Sequence, residues 1–415
     1  MNSKDNVSRK TTDRSLTNWV KNASRFYYMK SMANIKRRQS NIWIFSCWEG
    51  MKYADNSKYL YEYVENNLKA ITPIWMTSNK DVYERLLSEG HRVELNDTAN
   101  AMTLQKKADV AFFTHGLDDF GKNPHIYGSF IVNLWHGVPL NKLGYYNRPV
   151  HSNPVLIALW RLKGHIFSYI NNDLTIATSD KAARSFRDFT LHRKDIKIIG
   201  QPRTDLLVSN DDIKKQVFDA ILSHYFDQPE KYHYILFMPT YRSTPKSQKF
   251  LEHLLSKIVE NTALNEYLNA NNTKILMKMH YLTDISEMVF SDNIICIDDR
   301  DVADSEELLL IADALITDYS SVCFDFALKE KEILLFAPDK DTYISESGLL
   351  PDFSRLINKY AVTEVNQLVE KVIATCDNNF EPSSLCTEIN CLCNSKKNEI
   401  GNFCKIVCDT VISRV

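Results

Sequence analysis

The residues best suited to chemistry lie in one short segment, residues 314–326. Its apolar start, Ala-Leu-Ile, predicts a buried strand, after which Ser320 and Ser321 begin an amphipathic helix that includes Asp325. A strand that leads hydroxyls and free backbone N–H groups to the start of a helix is suited to binding an anion. We therefore predict that the two serines hold the phosphates of a nucleotide diphosphate, with Asp325 close by. The alternative is that the serines only cap the helix.

Three further polar clusters directly follow predicted strands. His136 lies in a Trp-His-Gly-Val-Pro-Leu turn, where a side chain that titrates near neutral pH is suited to act as a general base or to bind phosphate. Thr240 and Arg242 follow a later strand, and a planar guanidinium matches phosphate oxygens. His280 ends a third strand. The alternatives are that His136 is a structural histidine in a turn, that Arg242 is a surface arginine in a loop and that His280 is an isolated histidine without a functional role.

For these clusters to form one site, the strands that precede them must end at the same edge of their sheets. Apolar runs that alternate with helical patterns predict mostly parallel sheets with helices on both faces. We expect the α/β fold class, with two doubly wound, Rossmann-like domains and a ligand cleft at the carboxyl ends of the strands. The predicted strands are residues 42–46, 70–76, 91–94, 110–114, 130–134, 174–177 and 196–199, and then 234–237, 274–277, 294–297, 314–316 and 333–336.

The break between the two series falls at residues 200–205, Gly-Gln-Pro-Arg-Thr-Asp, which we interpret as an interdomain linker. A chain of 415 residues is long enough for two hydrophobic cores. We divide it into a basic N-terminal extension (1–39), a first Rossmann-like domain (40–200), a second (201–395) and a C-terminal helix that packs back on the first domain (396–415).

Composition predicts an ordinary globular protein, with 44% hydrophobic and 25% charged residues. No apolar run reaches the ~18–20 residues needed to span a bilayer. The polar, basic N-terminus lacks the apolar stretch of a secretory signal. We therefore expect a cytoplasmic protein.

The charge distribution favours anionic partners. Residues 1–40 contain ten Lys/Arg and two Asp/Glu, and residues 120–172 contain no acidic residue, which suits an anionic substrate or membrane surface. The apolar, aromatic and basic residues 153–170 predict a helix in the membrane interface, with burial against the first sheet as the alternative. No nucleic-acid motif accompanies these segments, so no nucleic acid is expected. The side chains expected to contact the membrane are Trp160, Arg161, Lys163 and Phe167.

Nothing in the sequence predicts a metal or a cofactor. The nine cysteines lack the spacing of a zinc site or a disulfide framework and are expected to be ordinary buried thiols. No glycine-rich phosphate loop is present, and we interpret the acidic run at residues 298–301, Asp-Asp-Arg-Asp, as a solvated loop and not as a metal-diphosphate clamp. Charge compensation at a diphosphate would then come from arginine, histidine, hydroxyls and a helix N-terminus.

Taken together, these motifs resemble the CDP-glycerol glycerophosphotransferase family, which includes the teichoic-acid primases and polymerases and related capsule polymerases. The Trp-His-Gly and Thr-Asp-Tyr-Ser-Ser elements are specific, and the matching segments follow the family's order across residues 40–410. The matching segments are 46–50 with 55–58, 134–140 with 143–144, 200–205, 239–242, 278–280 and 316–327.

The resemblance implies a GT-B-like fold whose first domain faces the acceptor and the membrane and whose second domain binds a CDP donor. It implies transfer of a polyol phosphate, with glycerol phosphate as the leading expectation, and release of CMP. The acceptor would be a polyprenol-diphosphate-linked glycan or a growing polymer at the inner face of the plasma membrane. By position, His136 is the base for the acceptor hydroxyl, and His280 is a second catalytic residue. The residues expected at the donor are Thr240, Arg242, His280, Ser320, Ser321 and Asp325.

Three departures from the family's pattern bear on the donor. Asn141 stands where members often have Lys, Tyr281 stands where Pro commonly follows the histidine, and residues 346–349 lack an Arg-Gly pair. CDP-ribitol or a capsule-type sugar-phosphate donor is therefore an alternative to CDP-glycerol. A GT-B nucleotide-sugar glycosyltransferase or epimerase and a non-catalytic assembly scaffold also fit the sequence. Both a primase, which adds one unit, and a polymerase, which adds many, fit the motifs.

Overall fold

The computed structural model describes residues 40–141, 172–190, 195–242, 244–279, 283, 290–298, 302 and 304–415. Several sequence predictions fall outside these residues. They are the N-terminal extension 1–39, the second histidine His280 with Tyr281, and the membrane segment with Trp160, Arg161, Lys163 and Phe167. Those predictions stay predictions.

The first sheet has seven parallel strands, and the second has five. The first runs in the order β3-β2-β1-β4-β5-β6-β7, with β1 Ile42–Phe45, β2 Thr72–Thr77, β3 Val93–Leu95, β4 Val110–Phe113, β5 Phe130–Asn133, β6 Leu174–Ala177 and β7 Asp195–Ile198. The second runs in the order β10-β9-β8-β11-β12, with β8 His233–Met238, β9 Thr273–Lys278, β10 Ile294–Ile297, β11 Ala314–Thr317 and β12 Glu332–Leu335. The order reverses beside β1 in one sheet and beside β8 in the other, which are the switch points where such sheets bind ligands.

Most of the described connections between parallel strands contain α-helices, whereas β4 and β5 are joined by a segment with only a short 3₁₀ helix, Leu117–Phe120. Those associated with the first sheet are α1 Asp55–Asn67, α2 Lys80–Ser88, α3 Ala99–Lys107 and α4 Asp180–Thr190. Those associated with the second are α5 Asp211–Leu222, α6 Pro245–Val259, α7 Thr262–Ala270, α8 Ser305–Ile311, α9 Val322–Phe326, α10 Lys340–Ser347, α11 Pro351–Tyr360, α12 Val365–Asp377 and α13 Ser384–Cys393. A last helix, α14 Phe403–Ile412, follows a short 3₁₀ turn at Lys397–Glu399.

Both sheets are covered on both faces. In β1, Trp43 and Phe45 pack into one hydrophobic core while Ile44, on the opposite face, packs into another. In β8, Leu236 and Phe237 are likewise divided between two cores. Successive residues of a strand point to opposite faces, so an unbroken apolar run indicates a strand buried on both sides. The α/β fold class with two parallel sheets, predicted from these runs, is confirmed.

The end of the chain returns to the first sheet. Phe403 and Val407 of α14 are buried in the same core as Trp43 and Phe45. The sequence predicts one C-terminal helix over residues 396–415, but the structure breaks this stretch at Gly401, whose φ is +89°. The helix begins where the carboxylate of Asp205 accepts hydrogen bonds from the backbone N–H groups of Gly401, Phe403 and Cys404 at 2.7, 3.0 and 2.8 Å.

Within the described ranges, no helix has both the length and the apolar character needed to cross a lipid bilayer.

Candidate active site

A cleft of about 540 Å³ lies where the carboxyl ends of the two sheets face each other. Each wall is formed by loops that directly follow strands. The first sheet contributes Trp48 after β1 and residues 135–141 after β5, and the second contributes residues 238–241 after β8 and residues 319–322 after β11. The structure therefore brings five predicted site residues to one cleft, which are His136, Thr240, Ser320, Ser321 and Asp325.

His136 is held as a proton acceptor. Its Nδ1 lies 3.0 Å from the backbone carbonyl oxygen of Thr114, and a carbonyl only accepts, so Nδ1 carries the proton and Nε2 is left with a lone pair. Burial lowers the pKa of His136 below its ordinary value, which favours the neutral form. The turn is tight on both sides, because Trp135 has φ +58° and Gly137 has φ +136°.

A second histidine, which the sequence interpretation missed, stacks on the first. The ring of His115 lies parallel to that of His136, with centroids 4.1 Å apart and planes 12° apart, and Trp135 stacks on His136 at 4.9 Å. Burial and the neighbouring His136 lower the pKa of His115 to about 3, so it is neutral. The sequence did contain a signal for His115, since a Thr-His-Gly segment follows β4 just as the Trp-His-Gly segment follows β5.

Asp119 fixes the loops beneath these rings. Its fully buried carboxylate accepts hydrogen bonds from the backbone N–H groups of Thr114, His115 and Glu49 at 3.0, 3.1 and 2.7 Å. Burial raises the pKa of Asp119 to about 6 even though these hydrogen bonds favour its ionised form. One carboxylate thus joins the loops after β1 and β4.

The opposite wall presents hydroxyl groups. Oγ1 of Thr240 is buried and has no hydrogen-bond partner among the described residues, although its backbone N–H donates to Asp318 at 2.8 Å. Ser321 precedes α9 but makes no side-chain capping bond, and Ser320 Oγ accepts only a long bond of 3.4 Å from the N–H of Val322. Capping alone therefore does not account for the two serines.

The two walls approach closely at Gly137. A Cβ atom on this glycine would lie 2.7 Å from Oγ of Ser321, well inside contact distance. The residue after His136 must therefore lack a side chain for the histidine turn to lie against the serine turn.

Arg242 does not line the cleft. Its guanidinium is 2% exposed, with Nε 2.7 Å from Asp339, NH2 2.9 Å from Asp318 and NH1 2.6 Å from the carbonyl oxygen of Thr240. It also lies 5.0 Å from the ring of Tyr319. As placed, this arginine supports the loop that carries Thr240, and its direct contact with a diphosphate stays a prediction.

Arg203 is the main residue that the sequence interpretation missed. The segment interpreted as a linker is a buried 3₁₀ helix, Pro202–Val208, and Arg203 is 7% exposed at the base of the cleft. Its nitrogens lie 2.7 Å from Asp55, 2.7 Å from Glu306 and 2.6 Å from Asp325. A single guanidinium therefore bridges α1 of the first sheet to α8 and α9 of the second.

Three carboxylates around one cation cannot all be ionised at low cost. Although burial opposes it, Arg203 lowers the pKa of Asp55, whereas burial and neighbouring carboxylates raise the pKa of Glu306 well above its ordinary value. Burial also raises the pKa of Asp325 despite its contact with Arg203. Burial thus opposes the ionisation of Glu306 and Asp325, while Arg203 favours the ionised form of Asp55.

Two further residues at the start of α1, Asn56 and Lys58, also join the two halves. The side chain of Asn56 donates to the carbonyl of Trp135 at 2.9 Å and accepts from the N–H of Arg203 at 3.1 Å. Lys58 pairs with Asp304 at 3.2 Å and Glu307 at 2.8 Å in the second half. The Asp-Asn-Ser-Lys motif therefore positions the cleft walls.

Within the described residues, no group of three His, Cys, Asp or Glu side chains has metal-binding geometry.

The chain has similarity to curated teichoic-acid enzymes. A teichoic acid poly(glycerol phosphate) polymerase of Staphylococcus epidermidis is 25% identical over 342 residues, which cover 76% of this chain and 43% of that protein. One of the same name from Bacillus spizizenii is 25% identical over 347 residues, which cover 81% of this chain and 84% of that protein. The chain thus spans less than half the length of the first relative.

The solved structure of the wall teichoic acid polymerase TagF superimposes with a TM-score of 0.69 at 21% identity and covers 96% of each chain. At this identity the likeness supports the fold. The profile of the family described as CDP-glycerol:poly(glycerophosphate) glycerophosphotransferase matches residues 28–398, most of the chain. The chain therefore belongs to the CDP-glycerol:poly(glycerophosphate) glycerophosphotransferase family.

Proposed function

We propose that this chain transfers glycerol phosphate from CDP-glycerol to a hydroxyl group of a lipid-linked acceptor or growing teichoic-acid-type polymer and releases CMP. The observation that carries the proposal is the placement of a neutral His136, with its Nδ1 proton bound to Thr114, opposite the hydroxyl groups of Thr240 and Ser321 in one cleft. Family membership supplies the donor class.

In the reaction that we propose, His136 acts as the general base. Nε2 of His136 takes the proton of the acceptor hydroxyl as its oxygen attacks the β-phosphorus of CDP-glycerol. The bond between the β-phosphorus and the bridging oxygen breaks, and CMP leaves with that oxygen and its electron pair. A new phosphodiester joins the acceptor to glycerol. Such a transfer depends on in-line positioning and charge stabilisation, with no covalent enzyme intermediate.

The donor diphosphate is assigned to the second wall. Hydroxyls of Thr240, Ser320 and Ser321 line it, and the unpartnered Oγ1 of Thr240 is a buried group that gains a partner when a phosphate oxygen arrives. Arg242 acts here mainly by holding Asp318, which in turn holds the N–H of Thr240. Direct contact of Arg242 with the diphosphate requires its ion pairs to open.

Asp325 and His280 complete the assignment. Asp325 lines the cleft but is bound to Arg203, so it holds the floor of the donor site in place. His280 lies two residues after Lys278, which lines the cleft, and we keep it as the second catalytic residue.

The acceptor assignment rests on charge. The basic residues 1–40 and the acid-free residues 120–172 favour a chain that lies on the anionic inner face of the plasma membrane, where a polyprenol-diphosphate-linked glycan would be presented. We place the membrane contact at Trp160, Arg161, Lys163 and Phe167.

The test is nucleotide release by the purified protein with each of three donors and a polyprenol-linked acceptor: CMP is measured with CDP-glycerol and CDP-ribitol, and UDP or UMP with a UDP-sugar. We expect CMP from CDP-glycerol, abolished by His136→Ala and retained by His253→Ala, a control histidine exposed on α6. Release only from CDP-ribitol would make the chain a ribitol-phosphate transferase. Turnover of the UDP-sugar would favour a glycosyltransferase or epimerase, and a folded protein inactive with every donor would favour a scaffold.

A further inference from the structure

One part of the cleft has no role in the reaction described above. It is the rim formed by the loop after β1, where Trp48 and Lys52 line the cleft beside the histidine turn. Trp48 is 38% exposed, although large hydrophobic side chains in the described residues are mostly buried. An indole left at the mouth of a cleft next to a catalytic base is a candidate ligand contact.

The backbone holds this indole in a fixed place. Trp48, Glu49 and Gly50 have φ values of +50°, +55° and +76°, so three successive residues are left-handed. The turn is kept by the hydrogen bond from the N–H of Glu49 to Asp119 at 2.7 Å. Gly50 packs so tightly that a Cβ would lie 2.7 Å from Oγ of Ser78. Backbone of this kind concentrates at functional sites.

The indole is also connected to the base. Its ring centroid lies 4.2 Å from that of His115, and His115 stacks at 4.1 Å on His136. The ammonium of Lys52 lies 5.2 Å from the indole centroid, and its charge helps to lower the pKa of His115. A row of rings with a cation beside its outer end therefore leads from the cleft rim to His136.

The two walls differ in chemistry. The second wall presents small hydroxyls suited to phosphate oxygens, whereas the rim presents an aromatic face and one cation. With the donor assigned to the second wall, the rim is the part of the described cleft beside the histidine turn that we assign to the acceptor hydroxyl. An aromatic face packs well against the C–H groups of a sugar or polyol, and an ammonium binds a phosphate as a point charge.

Building on the proposed function, we propose that Trp48 and Lys52 form the acceptor subsite. The indole packs on the sugar or polyol that bears the reacting hydroxyl, and Lys52 binds the phosphate of that same acceptor end. A polyol phosphate, the acceptor end of the proposed function, would make both contacts. A neutral glycan without such a phosphate would lack one of the two contacts.

The test separates acceptor binding from transfer. The probe is a short synthetic glycerol-phosphate oligomer, titrated calorimetrically into His136→Ala protein that does not turn over. We expect Trp48→Ala to weaken binding roughly three- to tenfold, Trp48→Phe to weaken it less, and Lys52→Gln to weaken it and reduce its salt dependence. Met51→Ala, at an exposed neighbour outside the cleft, is the matched control and should bind as its parent does.

Steady-state kinetics with CDP-glycerol provide the second readout. On the otherwise wild-type protein, Trp48→Ala and Trp48→Phe should raise KM for the acceptor and leave KM for CDP-glycerol unchanged. A rise in KM for CDP-glycerol alone, or a fall in kcat with unchanged oligomer binding, would overturn the subsite. Absence of CMP release by the wild-type protein would instead refute the proposed function, while the binding titration would still decide whether the rim takes a polyol phosphate.

Discussion

Replacement of Arg203 by Met tests the central electrostatic argument. Arg203 and its partners Asp55, Glu306 and Asp325 all have side chains less than a tenth exposed, with contacts of 2.6–2.7 Å. Removing the partner of a buried charge costs about 3–5 kcal/mol because the remaining charge stays desolvated. For a domain of about 150–250 residues, losing this much free energy of unfolding lowers the thermal midpoint by roughly 6–20 °C.

The pH dependence gives the sign of the effect. Without the guanidinium, burial raises the pKa of the three carboxyl groups above their ordinary values, so the folded variant binds more protons than the unfolded chain above about pH 4. Its stability therefore falls as pH rises. We expect the deficit of Arg203→Met relative to the wild type to be larger at pH 8 than at pH 5.

The measurement is a thermal scan of both proteins by intrinsic fluorescence at pH 5 and pH 8. Arg355→Met is the matched control, because that arginine is 60% exposed and makes a surface pair with Glu388 at 3.0 Å. Its thermal midpoint should stay close to that of the wild type at both pH values, because an exposed ion pair adds little stability. An Arg203→Met protein with a wild-type midpoint, or with a larger deficit at pH 5 than at pH 8, would refute the reasoning.

Three further predictions follow from local geometry. In the same scans, His115→Phe should lose less stability than the wild type between pH 8 and pH 5. The lowered pKa of His115 makes the unfolded wild-type chain bind an extra proton as pH falls, and the variant lacks this imidazole. An unchanged pH dependence would contradict this. Gly137→Ala should reduce kcat for CMP release at least tenfold, since the added methyl meets Ser321 at 2.7 Å. Full activity would show that the two turns do not need to touch. Asp205→Ala should cost about 1–2 kcal/mol in thermal scans through loss of the α14 cap, with exposed Asp409→Ala as control.

The strands were readable from sequence because each is an apolar run buried on two faces. The predicted strand 174–177 matches β6 residue for residue, and the others start within two residues of the observed ones. The helices were less completely readable: α11 was missed although Phe353, Leu356 and Ile357 form a buried face at helical spacing, and helices with little apolar surface were missed too. In α3, for example, the buried residues are only Ala101 and Gln105, so no helical apolar stripe marks it.

The site residues were found where they directly follow a strand and missed where a distant contact gives them their role. His136, Thr240 and Ser320 all lie just after strands. Arg203 has its role through Asp55 and Asp325, which are 148 and 122 positions away in sequence. No local pattern encodes such a meeting. Arg242 shows the converse, since its sequence position is the one expected for phosphate contact, but its guanidinium is occupied by Asp318 and Asp339.

The return of α14 to the first sheet has a consequence for how the protein is made. Phe403 and Val407 complete the core around Trp43 and Phe45, so that core stays open until the ribosome has synthesised the whole second sheet. At about 5–20 residues per second, the roughly 200 intervening residues take on the order of 10–40 s. During that interval the first sheet exposes apolar surface, and a ribosome that stalls before residue 403 leaves a chain suited to capture by chaperones.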